Sequence, residues 1–150
     1  MYLDRYEYFA NTDFLSYEFF SEGPKGKIKK IIRFTPRNAE GITYFNLGFG
    51  DWNTEKNRVD DMVVTNNQDQ QKILATVASA VLDFTALFPD IMVYAKGSTD
   101  ARTRLYQMGI AANLGEIESA LLVFGFIDNK WKKFEKNINY DAFLVLRKKL

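Results

Sequence analysis

Residues 67–88 read NQDQQKILATVASAVLDFTALF, and Pro89 follows them. Apolar residues recur in these positions at spacings of three and four, which places one apolar stripe along a helix. The stripe consists of Ile73, Leu74, Val77, Val81, Phe84, Leu87 and Phe88. Asn66 or Asn67 is the expected N-cap, because an asparagine side chain accepts a hydrogen bond from the first turn. The helix is expected to end before Pro89, since the residue before a proline disfavours helical geometry.

A second helix follows after one short strand. Residues 91–95 (IMVYA) are almost wholly apolar, as in a strand that is buried on both faces. Gly97, Ser98 and Thr99 then open a helix that runs to about Asn113, with Gly115 available as its C-terminal stop. Residues 67–113 therefore predict a helix–strand–helix unit.

Strands are predicted on both sides of this unit. Residues 15–20, 25–34, 42–50 and 61–65 are rich in aromatic and β-branched residues and are separated by polar, Gly-containing or Pro-containing stretches, as in an antiparallel meander. A hairpin begins with residues 120–127, turns at 128–129 and continues from Lys130, and residues 142–147 form a last strand. The sequence predicts an α+β fold: a mixed, mainly antiparallel sheet with a strand-rich N-terminal half, two main helices and a C-terminal hairpin. Residues 1–150 contain no repeat or linker and are expected to form a single globular domain.

The composition excludes several function classes. The chain has no Cys and no His, so thiol nucleophiles, Ser-His-Asp triads, imidazole acid–base catalysis and the usual zinc and iron–sulfur sites lack the residues they depend on. We expect no cofactor and no metal. Lys and Arg (20) balance Asp and Glu (19), so the net charge of +1 implies no bulk attraction to nucleic acid or to a membrane. The charged N-terminal residues and the polar interruptions of residues 73–88 predict neither a signal peptide nor a membrane span, and we expect a cytoplasmic protein.

One segment is a candidate anion site. A short strand ends at Lys96, and the second helix opens immediately afterwards. The first turn of a helix offers unpaired backbone N–H groups and a positive dipole end. Hydroxyls, cations and a glycine lie around this turn and can hold a phosphate or carboxylate. The candidate anion-binding residues are Lys96, Gly97, Ser98, Thr99, Arg102 and Arg104.

A purely structural interpretation of this segment is weighed ahead of the functional one. Ser98 or Thr99 can simply cap the helix, Gly97 can make the turn, and Asp100 can complement the dipole. Arg102 and Arg104 are two residues apart and cannot share one helical face, so at most one of them is expected to face an anion.

Three other clusters are weaker candidates. Asp51, Asp60 and Asp61 can gather around a cation, although solvated loop carboxylates are the commoner explanation. Residues 25–37 carry six cations and no acid. They can present a basic face to RNA or to an acidic protein. Alternatively, and this is the interpretation we favour, they form an exposed edge strand that is protected by lysines. A second basic and aromatic patch surrounds Trp131, which we expect to be a core or hairpin residue; it consists of Lys130, Trp131, Lys132, Lys133, Phe134 and Lys136.

Five segments together resemble the blocks of a known family. They are residues 23–28 (GPKGKI), 46–51 (NLGFGD), 74–78 (LATVA), 96–107 (KGSTDARTRLYQ) and 139–143 (NYDAF). These segments are similar to those of an uncharacterised bacterial family, a domain of unknown function, over nearly the whole chain. The resemblance implies a small single-domain bacterial protein and brings no established activity, ligand or catalytic residue.

Three hypotheses follow from the residues. The first is a non-catalytic binding module that takes a phosphate of a nucleotide or nucleic acid at Lys96–Arg104. The second is a protein-interaction module, with an immunity-like or antitoxin-like role, that uses the basic face at residues 25–37. The third is an enzyme without His or Cys that acts on a phosphorylated substrate, with Lys96 or Tyr106 as the acid–base group. The ligand, the protein partner and the oligomeric state stay open.

Overall fold

The computed structural model describes residues 4–53, 55, 57–60 and 67–149. The strands are β1 (Phe9–Ala10), β2 (Ser16–Gly23), β3 (Gly26–Ala39), β4 (Ile42–Asn53), β5 (Arg58–Asp60), β6 (Val93–Ala95), β7 (Leu121–Ile127), β8 (Lys130–Lys133) and β9 (Ala142–Arg147). The helices are α1 (Gln70–Leu87), α2 (Asp100–Ala112) and α3 (Leu114–Glu118).

The strands of the described residues form one sheet in the order β1-β2-β3-β4-β6-β9-β7-β8, with β5 paired to β4. Neighbouring strands are antiparallel except β4 and β6, which are parallel. The parallel pair arises where α1 crosses from the N-terminal meander to β6. The predicted α+β fold, with its strand-rich N-terminal half and C-terminal strands, is confirmed.

The two faces of the sheet differ. Alternate residues of each strand point toward α1 and α2 and form the core, as the period of two requires. Phe84 of α1 lies flat on Phe34 of β3, with the ring centroids 3.9 Å apart. Leu74 of α1 packs against Gly109 of α2, where an added Cβ would lie 3.3 Å from the leucine side chain. The opposite face carries no helix among the described residues, and we call it the open face.

The first helix begins later than predicted. Its N-cap is Asp69, whose side chain makes no capping hydrogen bond, and Asn66 lies outside the described residues. Asn67 serves the β2–β3 turn instead: its Nδ2 donates to the Gly26 carbonyl (2.9 Å) and its Oδ1 accepts from the Lys25 N–H (2.7 Å). These tertiary hydrogen bonds keep the Asn67 side chain away from the helix.

The second helix ends before the glycine predicted to stop it. Asn113 is the C-cap, and its backbone N–H and its side-chain Nδ2 both donate to the Gly109 carbonyl. Asn113 thus provides the hydrogen bonds at the C-terminal end of α2, and Gly115 lies inside α3. The predicted strand at residues 61–65 lies outside the described residues.

Strand β3 is not an edge strand. It pairs with β2 through residues 26–33 and with β4 through residues 30–39, so the interpretation of β3 as an exposed edge strand protected by lysines is wrong. Two long hairpins place β3 inside the sheet. Lys30 then points into the core, where it is 3% exposed and pairs with Asp51 of β4.

None of the helices in the described part of the chain has the length and apolar character needed to cross a membrane.

Candidate functional site

The start of α2 is built by its own side chains. Thr99 is the N-cap: its Oγ1 accepts a hydrogen bond from the Arg102 N–H at 3.2 Å. The Gly97 N–H donates to Oγ1 of Thr103 (3.0 Å), and a Cβ on Gly97 would lie 2.3 Å from the Thr103 nitrogen. The space beside Gly97 is therefore filled by the backbone of α2. Ser98 is exposed at the same junction.

The two arginines of α2 lie on different sides of the helix. Arg102 is 8% exposed and turns toward the sheet, where its Nη1 donates to the Phe49 carbonyl at 3.4 Å. Arg104 is exposed and lines a groove on the outer side together with Lys96. The structure thus brings together Lys96 and Arg104 and separates Arg102 from them, as the two-residue spacing requires.

The groove has a volume of about 400 Å³ and lies between the start of α2 and the ends of β6, β7 and β9. Four charged side chains line it: Lys96, Asp100, Arg104 and Asp141. None of the four makes a side-chain hydrogen bond or an ion pair within the described residues. Two cations and two carboxylates thus face one groove without a partner among the described residues.

Two aromatic residues form the floor of this groove and continue into a longer row. Tyr94 and Phe126 line the groove. Across the open face, Tyr94 lies edge-on to Tyr44 (ring centroids 5.7 Å) and to Trp131 (6.2 Å), and Trp131 lies 5.0 Å from Phe126. Burial, and secondarily Tyr44, raises the pKa of the Tyr94 hydroxyl. We call Tyr44, Tyr94, Phe126 and Trp131 the aromatic row.

The open face also collects cations from distant segments. On β3, Lys27, Lys29, Arg33 and Arg37 alternate with the buried positions and so point away from the helices. On β8, Lys133 stands opposite Phe124, on the same face as Trp131. Lys29 is partly engaged by Glu18 at 3.1 Å, whereas Arg33 and Arg37 are exposed.

Some residues of the weaker candidate clusters are exposed and others are buried. Trp131 is a hairpin residue that is 42% exposed, whereas Phe134 is buried against Tyr140 and Phe143. Asp51 is buried and paired with Lys30, so it is not a solvated loop carboxylate. Asp61 and the side chain of Asp60 lie outside the described residues, and the described part of the chain contains no cluster of three or more metal-ligating side chains.

Sequence reasoning missed Tyr94, Phe126 and Asp141 as site residues. The sequence places Tyr94 in a strand buried on both faces and Phe126 in a hairpin, and Asp141 falls just before the predicted last strand. The signal in the sequence is that Tyr94 and Phe126 alternate with core residues of their strands and so belong to the open face, whereas no pattern marks Asp141. Their meeting depends on the β6–β9–β7 strand order, which local patterns do not specify.

Comparison with known proteins finds one family model, described as a family of unknown function (DUF6934), which matches residues 2–148. No curated protein matches the chain. No solved structure matches it either.

Proposed function

The chain belongs to this family of unknown function, and we propose that it is a non-catalytic binding module for a nucleotide, either free or as a unit of single-stranded nucleic acid. The aromatic row stacks the base, and the groove at Lys96 and Arg104 holds the phosphate. The single observation that carries this proposal is that the aromatic row runs into a groove whose charged side chains have no partner in the described protein.

Stacking on the aromatic row supplies affinity without requiring a particular base. Each stacked base contributes about 1–3 kcal/mol on an aromatic side chain, because every base has a π-face. Trp131 is the most exposed member of the row and adjoins both Tyr94 and Phe126. It is the expected main stacking platform.

The mixed charges of the groove favour a nucleotide over inorganic phosphate. A bare phosphate at Arg104 or Lys96 would also face the carboxylates of Asp100 and Asp141, which repel it. A nucleotide presents an anionic phosphate to the cations and base N–H donors to the carboxylates. The groove is therefore expected to bind a nucleotide in preference to inorganic phosphate. Arg102 lies outside this groove and takes no part in it.

The cations of the open face favour single-stranded nucleic acid, rather than a free nucleotide, as the ligand. Arg33, Arg37 and Lys133 share the open face with the aromatic row, so further phosphates along a strand would meet positive charge. A free nucleotide would use the groove alone.

The test is binding of fluorescein-labelled, mixed-sequence 12-nucleotide single-stranded RNA and DNA by anisotropy, with ATP, GTP and inorganic phosphate compared by thermal shift. Arg104→Ala and Trp131→Ala should each weaken binding at least about fivefold, because they remove a phosphate contact and a stacking surface. Lys149→Ala is the matched control, since Lys149 is equally cationic but pairs with Asp90 at 2.9 Å, away from the groove.

The outcomes separate the sources of the nucleotide. Tighter binding of the 12-mers than of ATP or GTP identifies single-stranded nucleic acid as the ligand. Equal binding identifies a free nucleotide as the ligand. If neither the 12-mers nor the nucleotides bind, or if Arg104→Ala and Trp131→Ala bind like the Lys149→Ala control, the proposal is wrong.

A protein partner is the second candidate, because apolar side chains are exposed on the same open face. Leu122 is 39% exposed and Trp131 is 42% exposed. This alternative predicts a co-purifying protein that is lost in Leu122→Lys and is retained at high salt. An untouched complex in that variant excludes the open face as its interface.

The enzyme hypothesis lacks a comparable observation. Lys96 lines the outer groove, while Tyr106 lines two interior cavities on the other side of α2. An acid–base role for Lys96 predicts turnover of a phosphoester that is lost in Lys96→Ala.

A further inference from the structure

A second cavity lies between the two main helices and the middle of the sheet. Its volume is about 190 Å³, and its lining comes from the beginning of α1, the first turns of α2, and β3 and β4. This is room for several waters or one small organic molecule.

The cavity is lined by charged side chains that are almost completely buried. Lys30 is 3% exposed, Arg102 is 8% exposed and Asp51 is 9% exposed. Lys30 and Asp51 are register partners on β3 and β4 and form an ion pair, and Arg102 donates to the Phe49 carbonyl. Well-packed apolar residues in place of a buried ion pair are often as stable or more stable, so stability alone does not account for these charges.

Asp69 adds an unsatisfied acceptor to the same cavity. Its Oδ2 accepts hydrogen bonds from the Tyr6 hydroxyl (2.6 Å) and the Ser21 hydroxyl (2.5 Å). Its Oδ1 is buried and has no hydrogen-bond partner in the part of the chain that the structure describes. A buried carboxylate oxygen without a donor is unfavourable, and it points to a donor that comes from outside the chain.

The cavity adjoins an apolar one. A smaller space of about 60 Å³ shares Leu74, Val77 and Tyr106 with it and is otherwise lined by apolar residues of both helices and the sheet. A ligand can therefore place a polar head between the charged groups and a short apolar group beside Leu74.

We propose that this cavity binds a small zwitterion of the α-amino acid type with a short apolar side chain. Its carboxylate lies beside the cations Lys30 and Arg102, and its ammonium donates to Asp69 Oδ1. Lys30 and Arg102 line this cavity together with Asp51 and Asp69, so the described residues offer both cationic and anionic partners to a ligand that carries both charges. The site is separate from the outer groove and does not depend on the proposed nucleotide binding.

The test uses L-leucine as the probe on the full chain, by isothermal titration calorimetry and thermal shift. Two analogues test the two charged groups of the ligand separately. The analogue 4-methylpentanoate lacks the ammonium, and 3-methylbutylamine lacks the carboxylate. L-Leucine should raise the melting temperature, and each analogue should bind at least about tenfold more weakly. L-Lysine and L-glutamate, whose side chains are charged, should also bind at least about tenfold more weakly than L-leucine.

Asp69→Asn should weaken L-leucine at least about tenfold and leave the affinity for 4-methylpentanoate unchanged. Asp83→Asn is the matched control, because Asp83 is a carboxylate of α1 that, like Asp69, accepts from a tyrosine hydroxyl but does not line the cavity. If Asp69→Asn does not fold, the analogue comparison on the parent protein decides. No response to L-leucine, equal binding of 4-methylpentanoate, or preference for L-lysine or L-glutamate would overturn the proposal.

Discussion

At the scale of single residues, Gly97 lies where the chain passes from β6 into α2. The sequence suggests that its missing side chain lets a ligand approach, whereas the structure fills that space with the first turn of α2. Thr99 and Thr103 then satisfy the backbone groups of the junction by hydrogen bonds. The cap interpretation therefore accounts for Gly97 and Thr99, and the functional interpretation is left to Lys96 and Arg104.

Gly97→Ala is expected to destabilise the protein by about 1–3 kcal/mol, since the new Cβ would overlap the backbone of Arg102 and Thr103. Urea denaturation measures the effect. Gly115→Ala is the control, because a Cβ there meets nothing within 4 Å, and it should be neutral or stabilising by up to about 1 kcal/mol. Equal effects of the two substitutions would contradict the close packing at Gly97.

At the scale of elements, two tyrosines fasten the N-terminal segment to α1. The Tyr6 hydroxyl donates to Asp69 at the beginning of the helix, and the Tyr8 hydroxyl donates to Asp83 and contacts the Ser79 hydroxyl at 3.0 Å. Both tyrosines precede the first strand, since only Phe9–Ala10 pair with β2. The segment is thus held by side chains rather than by strand pairing.

This attachment predicts a pH dependence. Burial and the hydrogen bond to Asp83 raise the pKa of Tyr8 to about 12 from its ordinary value of 10.0. The protonated hydroxyl therefore contributes stability that is fully present below pH 10 and is lost as the pH rises through 12. The parent should be more stable than Tyr8→Phe to urea at pH 8, and the difference should shrink between pH 10 and 12. A difference that stays constant with pH would contradict this assignment.

At the scale of the whole molecule, a net charge of +1 conceals an uneven distribution. The open face carries the outward cations of β3 together with Lys133 and the aromatic row, and Glu18 is paired with one of these cations, Lys29. The balanced total suggests no attraction to nucleic acid; under the proposed function, the cations of the open face would supply a local attraction at short range.

Arg33→Glu combined with Arg37→Glu is expected to weaken binding of the single-stranded 12-mers and to lower the magnitude of the slope of log K against log salt by about 0.7 for each lost phosphate contact. Anisotropy at several salt concentrations measures the slope. Lys148→Glu combined with Lys149→Glu is the control. It makes the same change in net charge just after the C-terminal end of β9, whereas the groove lies at the N-terminal end of β9. An equal loss in both double variants would mean that total charge, rather than the open face, governs binding.

Much of the architecture follows from local patterns. The three-and-four spacing of α1, the alternation in the strands and the turn at residues 128–129 each depend on contacts within a few residues, and the structure has these elements. The end of α2 near Asn113 was predicted correctly, but the N-cap of α1 and the role of Gly115 as the stop of α2 were wrong, because the deciding hydrogen bonds of Asn67 and Asn113 compete with the local signals. The edge assignment of β3 was wrong because strand order is a nonlocal property.

The candidate sites divide along the same line. The amino-acid sequence is sufficient to separate Arg102 from Arg104, because helical geometry turns residues two apart to different sides, and to exclude Cys and His chemistry. The folded structure is required to bring Tyr94, Phe126 and Asp141 to Lys96, and to bury Lys30 beside Asp51, Arg102 and Asp69 around one cavity. Those arrangements depend on strand order, register and helix packing, which join residues far apart in the chain and leave no local pattern.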